Sequence, residues 1–224
     1  WFPGHMAKVY RDLPSNFKKI DVLLEVRDSR IPISSGNPEL LKLMTPNIKR
    51  IILFNKFDLC DKAKTEAIIK NNFKEAETMI LSAKTQGNVR KVLEKIAKEK
   101  KEFQTIGIWA MVCGIPNAGK SSLINVLRSM SNEVSKSKKI VYGAKKGDLP
   151  TTTRHVDFFK VSTQPNIYIM DSPGIMPPKI NRYNLDSLKL SACRNIKSII
   201  VEKEWVCDFI LFNLNSNRQT KYVS

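Results

Sequence analysis

The sequence predicts an α/β fold, a mostly parallel sheet with flanking helices, followed by a small C-terminal helical region. Three observations carry this. Short apolar runs alternate with segments of helical periodicity. A glycine-bearing turn joins one apolar run to a helix at residues 114–121. After Pro177-Pro178 the strand-like runs stop and helical spacing takes over, which sets a domain boundary near residue 180.

The elements follow in order. Ile20 to Val26 is apolar and β-prone, and Ile51 to Phe54 is a short continuous apolar run, as expected of a buried parallel strand. Asp61 to Glu75 reads as a helix and Met79 to Leu81 as a strand. Val89, Val92, Leu93 and Ile96 recur at helical spacing. Ile108 to Cys113 is a buried strand, and the helix after it carries Leu123, Ile124 and Leu127. Val156 to Val161 and Ile167 to Met170 read as strands, paired as a hairpin around Gln164-Pro165-Asn166. Beyond the boundary, Leu185, Leu188, Ala192, Ile196 and Ile199-Ile200 suggest one helix and Val206 to Leu214 another. The expected organisation is residues 1–180 and 181–224. Ser131 to Asp148, rich in Ser, Lys and Gly, reads as a long mobile loop.

The 224 residues are 42% hydrophobic and 26% charged, which are globular proportions. No apolar run approaches the roughly 18 residues of a membrane helix. Cys60, Cys113, Cys193 and Cys207 form no CxxC pair, and only His5 and His155 could assist them. A zinc site and a disulfide framework are therefore not expected, and a reducing compartment fits. The chain begins at Trp1 rather than Met, so a trimmed start that hides any targeting peptide is expected. The formal net charge is +17, from 38 Lys+Arg against 21 Asp+Glu. That excess suits a polyanion partner such as nucleic acid. A base-composition bias favouring Lys, Asn and Ile is the other explanation.

Gly114-Ile115-Pro116-Asn117-Ala118-Gly119-Lys120-Ser121 fits GxxxxGK[ST], between a strand and a helix. Such a loop turns its backbone N–H groups inward around phosphate oxygens, here through Asn117, Ala118, Gly119 and on to Ser122. Lys120 would place a charge on the β- and γ-phosphates, and the Ser121 hydroxyl would ligate Mg²⁺. Asp171-Ser172-Pro173-Gly174 stands at a strand end, where Asp171 can hold the Mg²⁺ shell and the Gly174 N–H can meet a γ-phosphate. Asn55-Lys56-Phe57-Asp58 also stands at a strand end. The Asp58 carboxylate can accept from guanine N1–H and from its exocyclic amine, neither of which adenine offers. Asn55 can bridge the base to the phosphate loop, and the Lys56 stem can lie along the ring. Ser82-Ala83-Lys84 resembles a backbone contact to guanine O6. GTP or GDP with Mg²⁺ is the expected ligand. The expected base-reading motifs precede the phosphate loop, the reverse of the usual order, and this is the order expected of a circularly permuted P-loop GTPase domain.

The chain resembles the RbgA/YlqF ribosome-assembly GTPases. Trp1-Phe2-Pro3-Gly4-His5-Met6-Ala7-Lys8 is similar to their opening signature. Asp28-Ser29-Arg30-Ile31-Pro32 with Asn37-Pro38 is similar to their DARxP…NP segment, and residues 114–125 resemble their phosphate loop. The tail Asp208 to Asn215 and Tyr222-Val223 looks most like the mitochondrial branch. The resemblance implies assembly of the large ribosomal subunit, contact with its rRNA, and GTP hydrolysis stimulated by that particle. It implies a monomer that does not act on DNA. The expected location is a mitochondrion, in the matrix or at the membrane, or another organelle, with the bacterial cytoplasm as the alternative. Where the family has Pro-Gly-x-Thr-Arg, this chain has Pro150-Thr151-Thr152-Thr153-Arg154, so Thr153 takes the place of the switch threonine on Mg²⁺. The family's C-terminal helical domain is expected to be incomplete here.

Ile175 stands where Ras-like proteins carry the water-orienting Gln, so intrinsic hydrolysis should be slow. The family resemblance offers His5 for that role. Local packing of His5 is the alternative. Asn117 corresponds to an asparagine that binds K⁺ in similar GTPases. Lysines of the Ser131 to Arg154 stretch could meet rRNA phosphates in one nucleotide state, or form a solvated loop. A guanine-nucleotide-dependent RNA-binding switch with negligible turnover, and a P-loop kinase or ATPase, are the competing readings. Asp58 argues against the last.

Overall fold

In a computed structural model, the described residues are 4–99, 107–134, 158–177, 181, 183–196 and 200–217. A six-stranded sheet has the spatial order β3-β2-β1-β4-β6-β5. Its strands are β1 (Val22–Asp28), β2 (Lys49–Asn55), β3 (Glu77–Ile80), β4 (Ile108–Cys113), β5 (Phe158–Thr163) and β6 (Asn166–Asp171). All neighbours are parallel except β5 and β6, which form the expected antiparallel hairpin. The helices are α1 (Gly4–Phe17), α2 (Pro38–Leu43), α3 (Lys62–Asn72), α4 (Val89–Ala97), α5 (Lys120–Val134), α6 (Leu185–Ala192) and α7 (Lys203–Ser216). None of the described helices is long and apolar enough to cross a membrane.

Every residue of β1 is buried, because helices cover both faces of the sheet. Successive side chains alternate between those faces. Val22, Leu24 and Val26 join Val92 and Ile96 of α4 and Leu123 and Leu127 of α5 in one core. Leu23, on the opposite face, joins Leu13 and Phe17 of α1 in a second. Ile52, Phe54 and Ile69 of α3 make a third cluster. Glu25 is the polar intruder on β1. It is 1% exposed, and Arg27 and Arg50 donate to it at 2.7 and 2.5–2.8 Å.

The chain first builds outward from β1 to β3, then β4 returns to the other side of β1. Connections therefore diverge between β1 and β4. In open α/β sheets such a switch point leaves a crevice at the carboxyl ends of the strands, where ligands bind. Strand register aligns those ends: Asp28 lies opposite Asn55, and Val112 opposite Asp171.

Several element expectations shift. Helices α1 and α2 were not foreseen. Helix α5 continues to Val134, through the start of the supposed mobile loop, whose remainder at 135–148 lies outside the described residues. The helical reading across Leu185 to Ile200 is corrected: α6 ends at Ala192. Asn195 N–H donates to the Leu190 carbonyl at 2.8 Å and Arg194 N–H to the Ser191 carbonyl at 2.9 Å, with Arg194 at φ +59°. This is a Schellman stop with Arg in the left-handed position that glycine usually takes.

Candidate functional site: a phosphate loop at the switch point

The loop after β4 is shaped by two glycines. At Gly114, φ is +149°, and a Cβ would lie 2.2 Å from the Val26 carbonyl oxygen. At Gly119, φ is +95°, and a Cβ would lie 2.2 Å from Asn55 Nδ2. Side chains there would push the loop off β1 and off Asn55. Asn117 also adopts positive φ, at +56°. Helix α5 then begins at Lys120, so its first backbone N–H groups and the positive end of its dipole face the crevice. Ser121 and Ser122 lie exposed in this first turn.

Lys120 is buried beneath the loop, and its ammonium donates to the Gly114 and Ile115 carbonyls at 3.1 and 2.8 Å. Burial pulls its pKa down to about 8, with the nearby Asp171 carboxylate pulling the other way. Burial raises the pKa of Asp171 in turn, while Lys120 and Arg128 oppose the rise. The Asp171 Oδ1 atom is buried with no hydrogen-bond partner among the described residues. A buried, orphaned carboxylate oxygen at a strand end, with the Ser121 hydroxyl in the neighbouring helix turn, is a hard-oxygen donor set suited to Mg²⁺. Gly174 packs so tightly on the loop that a Cβ would sit 2.9 Å from Pro116 Cγ.

The Asn55-Lys56-Phe57-Asp58 motif stands at the end of β2. Asn55 closes the strand, Lys56 turns into the left-handed region at φ +64°, and Phe57–Leu59 form a single 3-10 turn. Buried Asn55 ties two loops together: Nδ2 donates to the Ala118 carbonyl at 3.1 Å, and Oδ1 accepts from Ala83 N–H at 2.9 Å. Ser82 Oγ donates to Asp58 Oδ1 at 2.5 Å, which orients an otherwise exposed carboxylate. Lys84 is exposed at the end of the same turn. The Lys56 ammonium bonds to the Asn117 carbonyl and to Asp28 Oδ2, the latter at 2.9 Å. The sequence motifs, separated by up to 119 positions between Asn55 and Gly174, thus meet at one crevice.

Asp28 also belongs to this constellation, which no phosphate-binding or base-reading motif in the sequence signals. It is wholly buried at the end of β1 and receives Arg30 at 2.9 and 2.7 Å as well as Lys56. Burial alone would raise its pKa, but the hydrogen bonds from Arg30 and Lys56 outweigh it and hold the carboxyl below its ordinary value. The signal was the charge at the end of an apolar run.

Ile175 is 1% exposed and packs with Leu13, Phe17 and Met170, so its side chain faces the core. His5 lies in the first turn of α1, and its side chain is outside the described residues. Helix α1 is tied to the strand end that follows Asp171. Tyr10 Oη donates to the Met176 carbonyl at 2.8 Å, and Asn37 Nδ2 donates both to Tyr10 Oη at 2.8 Å and to the Ile175 carbonyl at 3.1 Å. Thr153 lies outside the described residues.

A family model described as RsgA GTPase matches residues 9–181. The chain belongs to the RsgA GTPase family. This RsgA-family chain is 31% identical over 235 residues to the mouse (Mus musculus) protein named mitochondrial ribosome-associated GTPase 1, with 100% of this chain and 69% of that protein covered. It is 34% identical to ribosome biogenesis GTPase A of Bacillus licheniformis, covering 97% and 75%. It is 33% identical to Short integuments 2, mitochondrial, of Arabidopsis thaliana, covering 96% and 56%. The RsgA-family chain thus spans between about half and three quarters of the length of these relatives. Among solved structures, GDP-bound TM YlqF superposes with a TM-score of 0.59 at 19% identity, over 88% of this chain and 71% of that one. That likeness supports the permuted GTPase fold.

Proposed function

We propose that this chain binds GTP and GDP with Mg²⁺ at the switch-point crevice and hydrolyses GTP during ribosome assembly. The observation that carries this is Asn55, which joins the phosphate loop to the Ser82-Ala83-Lys84 turn and so sets Asp58 and Lys120 at two ends of one site. Asp58 selects guanine by accepting from N1–H and the exocyclic amine. Asn117, Ala118, Gly119, Ser121 and Ser122 cradle the phosphates, and Lys120 leaves its loop carbonyls for the β- and γ-oxygens. Ser121, Asp171 and Thr153 would hold Mg²⁺, and the ion would supply positive charge beside the phosphates. Asn117 Nδ2 is held by the Arg194 carbonyl, so Oδ1 is the atom available to a K⁺ ion.

Relatives named for mitochondrial and ribosome-associated roles support a mitochondrial ribosomal particle as the partner. We take its large subunit, through rRNA, as the stimulator of hydrolysis. The +17 net charge supports a polyanionic surface. With Ile175 turned into the core, another group must orient the attacking water. His5 is our assignment, because its helix is pinned to the Asp171–Met176 segment by Tyr10, five residues and about 7.5 Å along the helix axis from His5. Residues 1–180 form the GTPase domain in this reading, and residues 181–224 form a helical region beyond it.

The test is the single-turnover GTP hydrolysis rate, with and without large ribosomal subunits, in K⁺ and in Na⁺ buffer. Strong stimulation, lost in His5→Ala, is expected. Stimulation that survives the substitution removes His5 from the mechanism. GTP binding with no stimulated turnover favours the nucleotide-dependent RNA-binding switch.

A further inference from the structure

The phosphate loop is held from the side of α6. Asn117 Nδ2 donates to the Arg194 carbonyl at 2.7 Å, and Asn195 Nδ2 donates to the Pro116 carbonyl at 3.0 Å. Arg30, while holding Asp28, donates to the Cys193 carbonyl at 3.1 Å. At the other end of α6, Ser34 Oγ donates to Asp186 at 2.6 Å. The turn 193–195 thus touches the phosphate loop directly. It also touches the guanine-reading Lys56 through Arg30 and Asp28.

The turn is built at a cost. Arg194 occupies the left-handed region at φ +59°. Asn195 is 1% exposed, and its Oδ1 has no hydrogen-bond partner among the described residues. A non-glycine residue in that conformation and a half-satisfied buried amide persist only where the surroundings over-determine them. The surroundings here are the two loops that make the nucleotide site.

We propose that Asn195 and Arg30 are positioning residues for the nucleotide site, fixing the phosphate loop and Lys56 against the Schellman turn of α6. The proposal rests on the guanine-nucleotide reading above. Binding is then linked to the placement of α6. A nucleotide that orders the loop must also order the turn, and loosening the turn must weaken nucleotide binding by the same factor. The residues after α6 would sense the occupancy of a site they do not enter.

The test measures GDP dissociation by fluorescent-analogue chase and amide hydrogen exchange across residues 185–196, with and without GDP. In the unaltered protein GDP is expected to slow exchange in α6 and its turn. In Asn195→Ala and Arg30→Gln, GDP release is expected to accelerate about tenfold, the consequence of leaving a half-buried carbonyl of the loop or the turn without its donor. The GDP-dependent protection of 185–196 should disappear with it. A merely structural role would lower the melting temperature but leave both readouts in place. Unchanged GDP release in both variants overturns the proposal. So does α6 exchange indifferent to GDP in the unaltered protein, a result that stands even if neither variant folds. Absence of GDP binding by the unaltered protein overturns the nucleotide reading and this proposal together. GDP binding without coupling overturns this proposal alone.

Discussion

On the proposed nucleotide reading, Lys120 makes the site a proton-linked one. In the free protein, burial holds its pKa at about 8. The amine is therefore uncharged in roughly a tenth of molecules at pH 7 and in roughly three quarters at pH 8.5. Phosphate oxygens bound at the loop would supply the negative charge that burial withholds, and so return the value toward the ordinary 10.5. GDP binding should then take up about 0.1 proton at pH 7 and about 0.8 proton at pH 8.5, with affinity falling roughly fourfold between them. The sign is uptake, because the ligand raises the pKa of a base. In the free protein the same burial makes charged Lys120 a stability cost. That cost is fully present below pH 8 and is relieved as the pH climbs toward 10.5. Calorimetric titration of GDP in buffers of different ionisation enthalpy reads the proton count directly. Equal affinity and a count near zero at both pH values would rule out a buried, proton-linked Lys120, as would net proton release.

Asp58→Asn replaces two accepting oxygens with one acceptor and one donor. It should weaken GDP binding by at least about a hundredfold and favour xanthine nucleotides, whose 2-oxo group accepts from an amide; competition binding with both bases checks this. Asp28→Asn removes the charge that Arg30 and Lys56 share. It should cost about 3 kcal/mol, or roughly 6–12 °C in melting temperature. Because the Asp28 pKa is lowered in the folded state, its stabilising contribution is present above the ordinary value of 3.8 and fades as pH falls through the lower folded value, which acid denaturation of both proteins would resolve. Ile175→Gln should not accelerate intrinsic hydrolysis, since position 175 faces Leu13 and Phe17 rather than the crevice. It should instead lower stability by about 2 kcal/mol, seen as a fall of roughly 4–8 °C in melting temperature.

The site was legible where its chemistry is local. A phosphate cradle needs glycines and a lysine at fixed spacing within one turn, so the candidate cradle at residues 114–121 stands out in the sequence. The same holds for Asn55 to Asp58, and for the Gln164-Pro165-Asn166 turn of the β5–β6 hairpin. What depends on distant neighbours was not legible. Asp28 becomes an anchor only because β1 pairs with β2 and brings it opposite Asn55, 27 positions away. Helix α1 was hidden by Pro14 and by the lack of an acidic first turn, two features that argue against a helix until tertiary packing of Leu13 and Phe17 overrides them. The periodicity Leu185, Leu188, Ala192, Ile196 concealed the end of α6, because an arginine occupies the place where glycine would have marked the stop. The docking of that stop onto Pro116 and Asn117, some 80 positions upstream, has no local signal at all.

On the proposed reading, the crevice between β1 and β4 binds a guanine nucleotide. Equilibrium titration of this chain with GTP and with ATP, in Mg²⁺ and K⁺ at neutral pH, tests it most directly. One GTP bound per chain is expected, with at least about a thousandfold preference over ATP, the discrimination that an unpaired Asp58 carboxylate would impose. Equal binding of the two nucleotides, or no binding of either, would contradict it.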